Sequence, residues 1–160
     1  LRFVPAAVAL GALGMDRHTR RGYLADNAEQ HRLGTAALLG RYVSDTVFRS
    51  GVARIAAARG AAPTWVYRFS WASTRIGWAC HCIDVPFWFD VLGRDRVDAL
   101  TGENPPQLLA DAAHGAASSF VRVGEPGWTS WSEDPGCTRI FDVTGPETIS
   151  DGYASVRALL

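Results

Sequence analysis

The run Thr64–Trp71 constrains this chain more than any other stretch. Trp65, Tyr67 and Phe69 alternate with Val66, Arg68 and Ser70, a period of two in aromatic and β-branched residues that suits a pleated strand. Helical patterns flank it on both sides. Upstream, Asp16–Gln30 is polar enough for a short helix, and Leu38, Tyr42, Val43 and Val47 recur at helical spacing. Ser44 and Asp45 read as a new helix start. Beyond them Phe48, Val52, Ile55 and Ala56 fall on one expected core face, with Arg49 and Arg59 toward solvent. Gly60 and Pro63 close that helix. Downstream, Pro86–Leu92 is apolar and Arg94–Leu100 suits a turn or two of helix. Asn104 before Pro105 and Pro106 reads as a capped helix start. Leu108, Leu109, Ala112, Ala113, Ala116 and Phe120 then make an apolar stripe that runs out near Gly124. Thr138–Val143 is the expected last strand and Tyr153–Leu160 the expected terminal helix. The order predicts one unit of mixed α and β elements.

Composition narrows the function classes. Sixteen acidic residues balance sixteen basic ones, all of them Arg, so no net field favours nucleic acid or an anionic membrane. No apolar run approaches the roughly 20 residues of a membrane-spanning helix. Three cysteines, two of them separated by a single residue, argue against a disulfide framework as the basis of the fold. Leu1–Leu13 is apolar but lacks the basic start and cleavage site of a signal peptide. An apolar opening without Met reads as a chain cut in mid-domain.

Chemistry, if the chain carries any, centres on Gly77–Phe89, where Cys80, His81, Cys82 and Asp84 interrupt aromatic and apolar sequence. A metal is disfavoured there, because structural zinc ligands are spaced about two to four residues apart and adjacent side chains diverge. No metal and no cofactor are therefore assigned. His81 can be a base or a satisfied loop histidine; Asp84 can be an acid of the site or a cap of the segment after it. His18, His31 and His114 read as structural. No Gly-x-Ser-x-Gly, dinucleotide-binding glycine pattern, phosphate loop or His-Glu-x-x-His is present. The residues supply a candidate base without a nucleophile.

Four segments, in order, resemble the type B carboxylesterases, a family of the α/β-hydrolase fold. Asp45-Thr46-Val47-Phe48 with Arg54-Ile55-Ala56 is similar to a family helix, and Trp65-Val66-Tyr67-Arg68-Phe69 to its aromatic strand. Ala79-Cys80-His81-Cys82-Ile83-Asp84-Val85-Pro86-Phe87-Trp88-Phe89 resembles the family's histidine block. Phe120-Val121-Arg122-Val123-Gly124-Glu125-Pro126, followed by Trp131, resembles a fourth segment. The resemblance implies that residues 1–160 are a single partial domain, the last strands and helices of a larger, mostly parallel sheet. It implies a small-molecule carboxylic ester as substrate and a Ser–Glu/Asp–His triad with His81 as its histidine. The nucleophile, the oxyanion loop and the triad acid would lie upstream, leaving Asp84 as an acid that supports the loop. Trp78 and Cys82 stand where the family favours Gly and Gly or Ala, and Ala117 where it favours Trp. Phe87, Trp88 and Phe89 are expected to pack the loop. A non-catalytic binding or adhesion member of the same fold, and an unrelated small binding domain with a structural histidine, remain as alternatives.

Overall fold

A computed structural model describes residues 4–160, which fall into two compact units. The first runs up to Gly60 and adds Tyr153–Leu160; the second is Ala61–Gly152.

The first unit is all helical. Helices α1 (Ala6–Ala12), α2 (Arg17–Asp26), α3 (Ala28–Arg32) and α4 (Thr35–Ser44) lead into a π-helical turn, Asp45–Arg49, and then α5 (Ser50–Ala58). A 3₁₀ helix, Ala154–Leu159, completes it. Asp16 starts α2 by accepting from the backbone N–H groups of His18 and Thr19, and its side-chain bond with Thr19 holds its pKa below the usual carboxylate range. Leu10, Tyr23 and Leu38 are completely buried and form the core with Ala6 and Met15.

The π turn explains why the expected core face of α5 is wrong for Phe48, Val52 and Ile55, while Ala56 is buried as expected. Ser44 and Asp45 begin no new helix; the backbone continues from α4 through the wider turn into α5. A π turn carries an extra residue, so every later side chain is rotated away from the face a regular 3.6-residue period assigns to it. Phe48 is 59% exposed and Ile55 66%, while the small residues Ser50, Ala53 and Ala56 face inward. Arg49 is also not simply solvated. Its guanidinium lies 2.9 Å from the carboxylate of Asp45, which is completely buried and also accepts from the hydroxyls of Tyr23 at 2.9 Å and Ser155 at 3.3 Å.

The second unit carries the sheet. Strand β1 (Tyr67–Phe69) pairs in parallel with β2 (Thr138–Phe141), which pairs antiparallel with β3 (Glu147–Ile149), giving the order β1-β2-β3. The Thr64–Trp71 run is therefore a strand only at its centre, and the residues after Phe141 turn back into β3, which has no alternating apolar pattern of its own. Between β1 and β2 lie α6 (Val85–Trp88), α7 (Asp98–Thr101) and α8 (Gln107–Val123). Asn104 does not cap α8. The helix starts only at Gln107, Pro106 in extended backbone occupies the cap position, and Asn104 stands two residues earlier at φ 52°. Gly124 ends α8 in the left-handed conformation. Leu109, Ala110 and Ala113 are the buried face of α8; Leu108, expected in the stripe, is 83% exposed. They pack with Trp71, Ile83, Phe87 and Phe141 into the core of this unit. The result is a mixed α/β architecture with a small sheet.

Candidate active site around His81

The approach to His81 is built by Ser73. This buried residue donates its hydroxyl to the Leu100 carbonyl at 2.7 Å, and the same oxygen accepts from the backbone N–H groups of Arg75 and Ile76. The Ser73 carbonyl then accepts from Gly77 N at 2.7 Å, and Ser73 N donates to the Trp78 carbonyl. Gly102 lies against this turn at φ 79°. A Cβ there would stand 2.9 Å from Arg75 N and collide with the Thr74 side chain, so the position needs glycine.

From Cys80 the chain makes tight turns into α6. Ile83 N donates to the Cys80 carbonyl and Val85 N to that of Cys82, each at 3.2 Å. The outcome is a division of side chains. Ile83, Pro86 and Phe87 point into the core, whereas His81 and Cys82 are exposed. Burial of Ile83 and Phe87 contributes about 1.5–3 kcal/mol each, so the core holds the turn down while His81 stays accessible. Cys82 takes φ 63°, a left-handed backbone that costs a β-carbon-bearing residue about 1–2 kcal/mol. A glycine would adopt it freely.

Asp84 sits at the N-terminal boundary of α6 but makes no capping bond with its side chain. Its carboxylate instead accepts from the Tyr67 hydroxyl on β1 at 2.8 Å. The other end of α6 is held by His114. Its Nδ1 lies 3.0 Å from the Trp88 carbonyl, and since a carbonyl only accepts, that nitrogen carries the proton. The opposite nitrogen, Nε2, lies 3.3 Å from the Ser118 hydroxyl. His114 is thus structural, as its place in an Ala-rich helix suggests, but with a specific task.

Behind the turn lies an aromatic layer. Tyr67 packs on Trp88 with ring centroids 4.7 Å apart, Phe69 on Phe87 at 4.9 Å and Trp71 on Phe87 at 5.1 Å. Phe87 and Trp88 pack the loop as expected. Phe89 does not: it is 69% exposed, as is Trp78 at 66%. All three cysteines are free thiols, and burial, with Asp134 and Glu133 nearby, pushes the Cys137 thiol up. Among the described residues no group of three or more His, Cys, Asp or Glu side chains converges on a metal position, and no helix is long and apolar enough to cross a membrane.

The structure thus places His81 and Asp84 in one short turn, and adds two residues that pattern reading did not assign to the site, Tyr67 and His114. Nothing local marks either of them, because each acts on a partner 17 or 26 residues away.

No protein-family model matches the chain. Its fold is esterase-like. It is similar to the crystal structure of the carboxylesterase EST55 of Geobacillus stearothermophilus at pH 6.2, with a TM-score of 0.64 and 26% identity. The similarity covers 76% of this chain and 27% of that one, so the chain spans about a quarter of the length of that enzyme.

Proposed function

We propose that this chain is the C-terminal part of a type B carboxylesterase domain, and that His81 is the general base of a serine-esterase mechanism. The observation that carries the reading is the exposed imidazole of His81, set on a turn fastened to a buried aromatic core, in a fold similar to that of a carboxylesterase. In this mechanism His81 takes the proton of a serine hydroxyl as it attacks the ester carbonyl. It returns that proton to the departing alcohol and then activates the water that hydrolyses the acyl-enzyme. General acid–base assistance of this kind is typically worth about 10²–10⁴-fold. A carboxylate on the other imidazole nitrogen fixes the tautomer and stabilises the imidazolium. The serine and that carboxylate belong to residues upstream of this chain, and Asp84, engaged by Tyr67, supports the turn. The substrate is a small carboxylic ester.

The test is hydrolysis of a short-chain 4-nitrophenyl ester. The full-length protein carrying this chain hydrolyses it, and His81→Ala lowers kcat by about 10³-fold or more with the fold retained. The 160-residue chain alone is inactive. Near-normal turnover by the full-length His81→Ala variant, or hydrolysis by the isolated chain that His81→Ala abolishes, would overturn the respective part of this reading.

A further inference from the structure

Resting on the general-base reading of His81, we infer that Tyr67 is a positioning residue for that base, acting through Asp84. Three observations converge on this. First, α6 is held at its C-terminal end, where His114 of α8 binds the Trp88 carbonyl and Phe87 is completely buried. Asp84 joins the His81 turn to α6. Second, Asp84 forgoes its capping role and accepts the Tyr67 hydroxyl at 2.8 Å. Tyr67 is a rigid anchor for this purpose: its backbone is in register with Arg139 of β2, and its ring packs on Trp88 and, edge-on, on Phe141. Third, Cys82 between the base and Asp84 is in left-handed backbone. Such a conformation persists only where the surroundings over-determine it, and the bond from Tyr67 is a constraint placed two residues away.

The chemical consequence is a division of labour. The core sets the height of the turn, and the phenol–carboxylate bond sets its angle and hence where the His81 imidazole points. Nucleophile and base must meet within hydrogen-bond reach, and a misplacement of about 1 Å can cost a hundredfold in rate. Tyr67 touches no reacting atom; its effect is on the fraction of molecules with His81 in the working position.

The experiment compares Tyr67→Phe, Asp84→Ala and the double variant in the full-length protein, with a short-chain 4-nitrophenyl ester and with His81→Gln in the same assay. Tyr67→Phe keeps the ring and its packing, so the unfolding midpoint and KM stay near wild type while kcat falls about tenfold. Asp84→Ala, which removes the acceptor, gives a similar loss, and the double variant loses no more than the worse single, because both remove one bond. Unchanged kcat in Tyr67→Phe, a loss that tracks a fall in folded protein, or losses that multiply in the double variant would overturn the positioning role while leaving the base in place. Near-normal turnover by His81→Gln would instead overturn the general-base reading and this inference with it.

Discussion

Two tyrosine hydroxyls each donate to a carboxylate, one pair in each compact unit, at almost the same distance: Tyr23 to Asp45 at 2.9 Å and Tyr67 to Asp84 at 2.8 Å. Their surroundings differ. Asp45 is completely buried, shared with Arg49 and Ser155, and joins a π turn to the C-terminal 3₁₀ helix. Asp84 is only half-buried and its bond with Tyr67 is open to solvent. A buried carboxylate must keep its partners, since each lost partner exposes the desolvation cost of those left behind. A solvated one can lose its partner to water at little cost in stability, so what remains of its value is geometric. The same bond is thus a fastening in one unit and an alignment in the other.

Breaking the buried pair gives the largest effects. Asp45→Ala leaves the Tyr23 hydroxyl and Arg49 without their acceptor and is expected to cost about 3 kcal/mol in urea unfolding. A loss below about 1 kcal/mol, the size of an ordinary surface pair, would erase the contrast between the units. Tyr23→Phe removes one donor and costs about 1–3 kcal/mol by the same measurement.

Tyr23 also gives the contrast a pH signature. Burial first, and then the Asp45 charge, raise its pKa well above its ordinary value near 10. A phenol whose folded pKa is raised stabilises the fold fully below its unfolded pKa and loses that contribution as pH climbs toward the folded value. Unfolding free energy should therefore decline above about pH 10 in the wild type. In Tyr23→Phe the part of that decline due to Tyr23 is absent. Equal slopes in the two proteins above that pH would refute the linkage.

The smallest change comes from the exposed turn. Cys82→Gly relieves the left-handed backbone at the cost of a freer unfolded chain, and a net gain of about 0.5–1 kcal/mol is expected. Destabilisation would show that the Cys82 side chain contributes packing beyond its backbone.

The two regions also differ in how much of them the sequence foretold. The His81 turn was legible because polar, titratable residues stand between Trp71 on one side and Ile83, Pro86 and Phe87 on the other, and burial of the apolar flanks forces the centre outward. The bond that orients it was not, because nothing in Tyr67 or Asp84 announces a contact across 17 residues. In the helical unit the failure is one of period. Ser44 and Asp45 suggest a new helix start, whereas α4 runs on through the π turn into α5; Phe48, Val52 and Ile55 lie off the core face, and Ala53 packs with Ala56, the one residue of the expected face that is buried. Strand β3 is too short to declare itself, and α8 starts only after Pro106, so Asn104 stands before the cap position.

The general-base role of His81 is tested most directly by covalent labelling. A fluorophosphonate probe reacts with a serine nucleophile only as fast as its base can activate it. The full-length protein should be labelled on one serine outside this chain, and His81→Gln should slow labelling by about 10²-fold or more at unchanged folded content. Labelling of the His81→Gln variant at the wild-type rate would contradict that role.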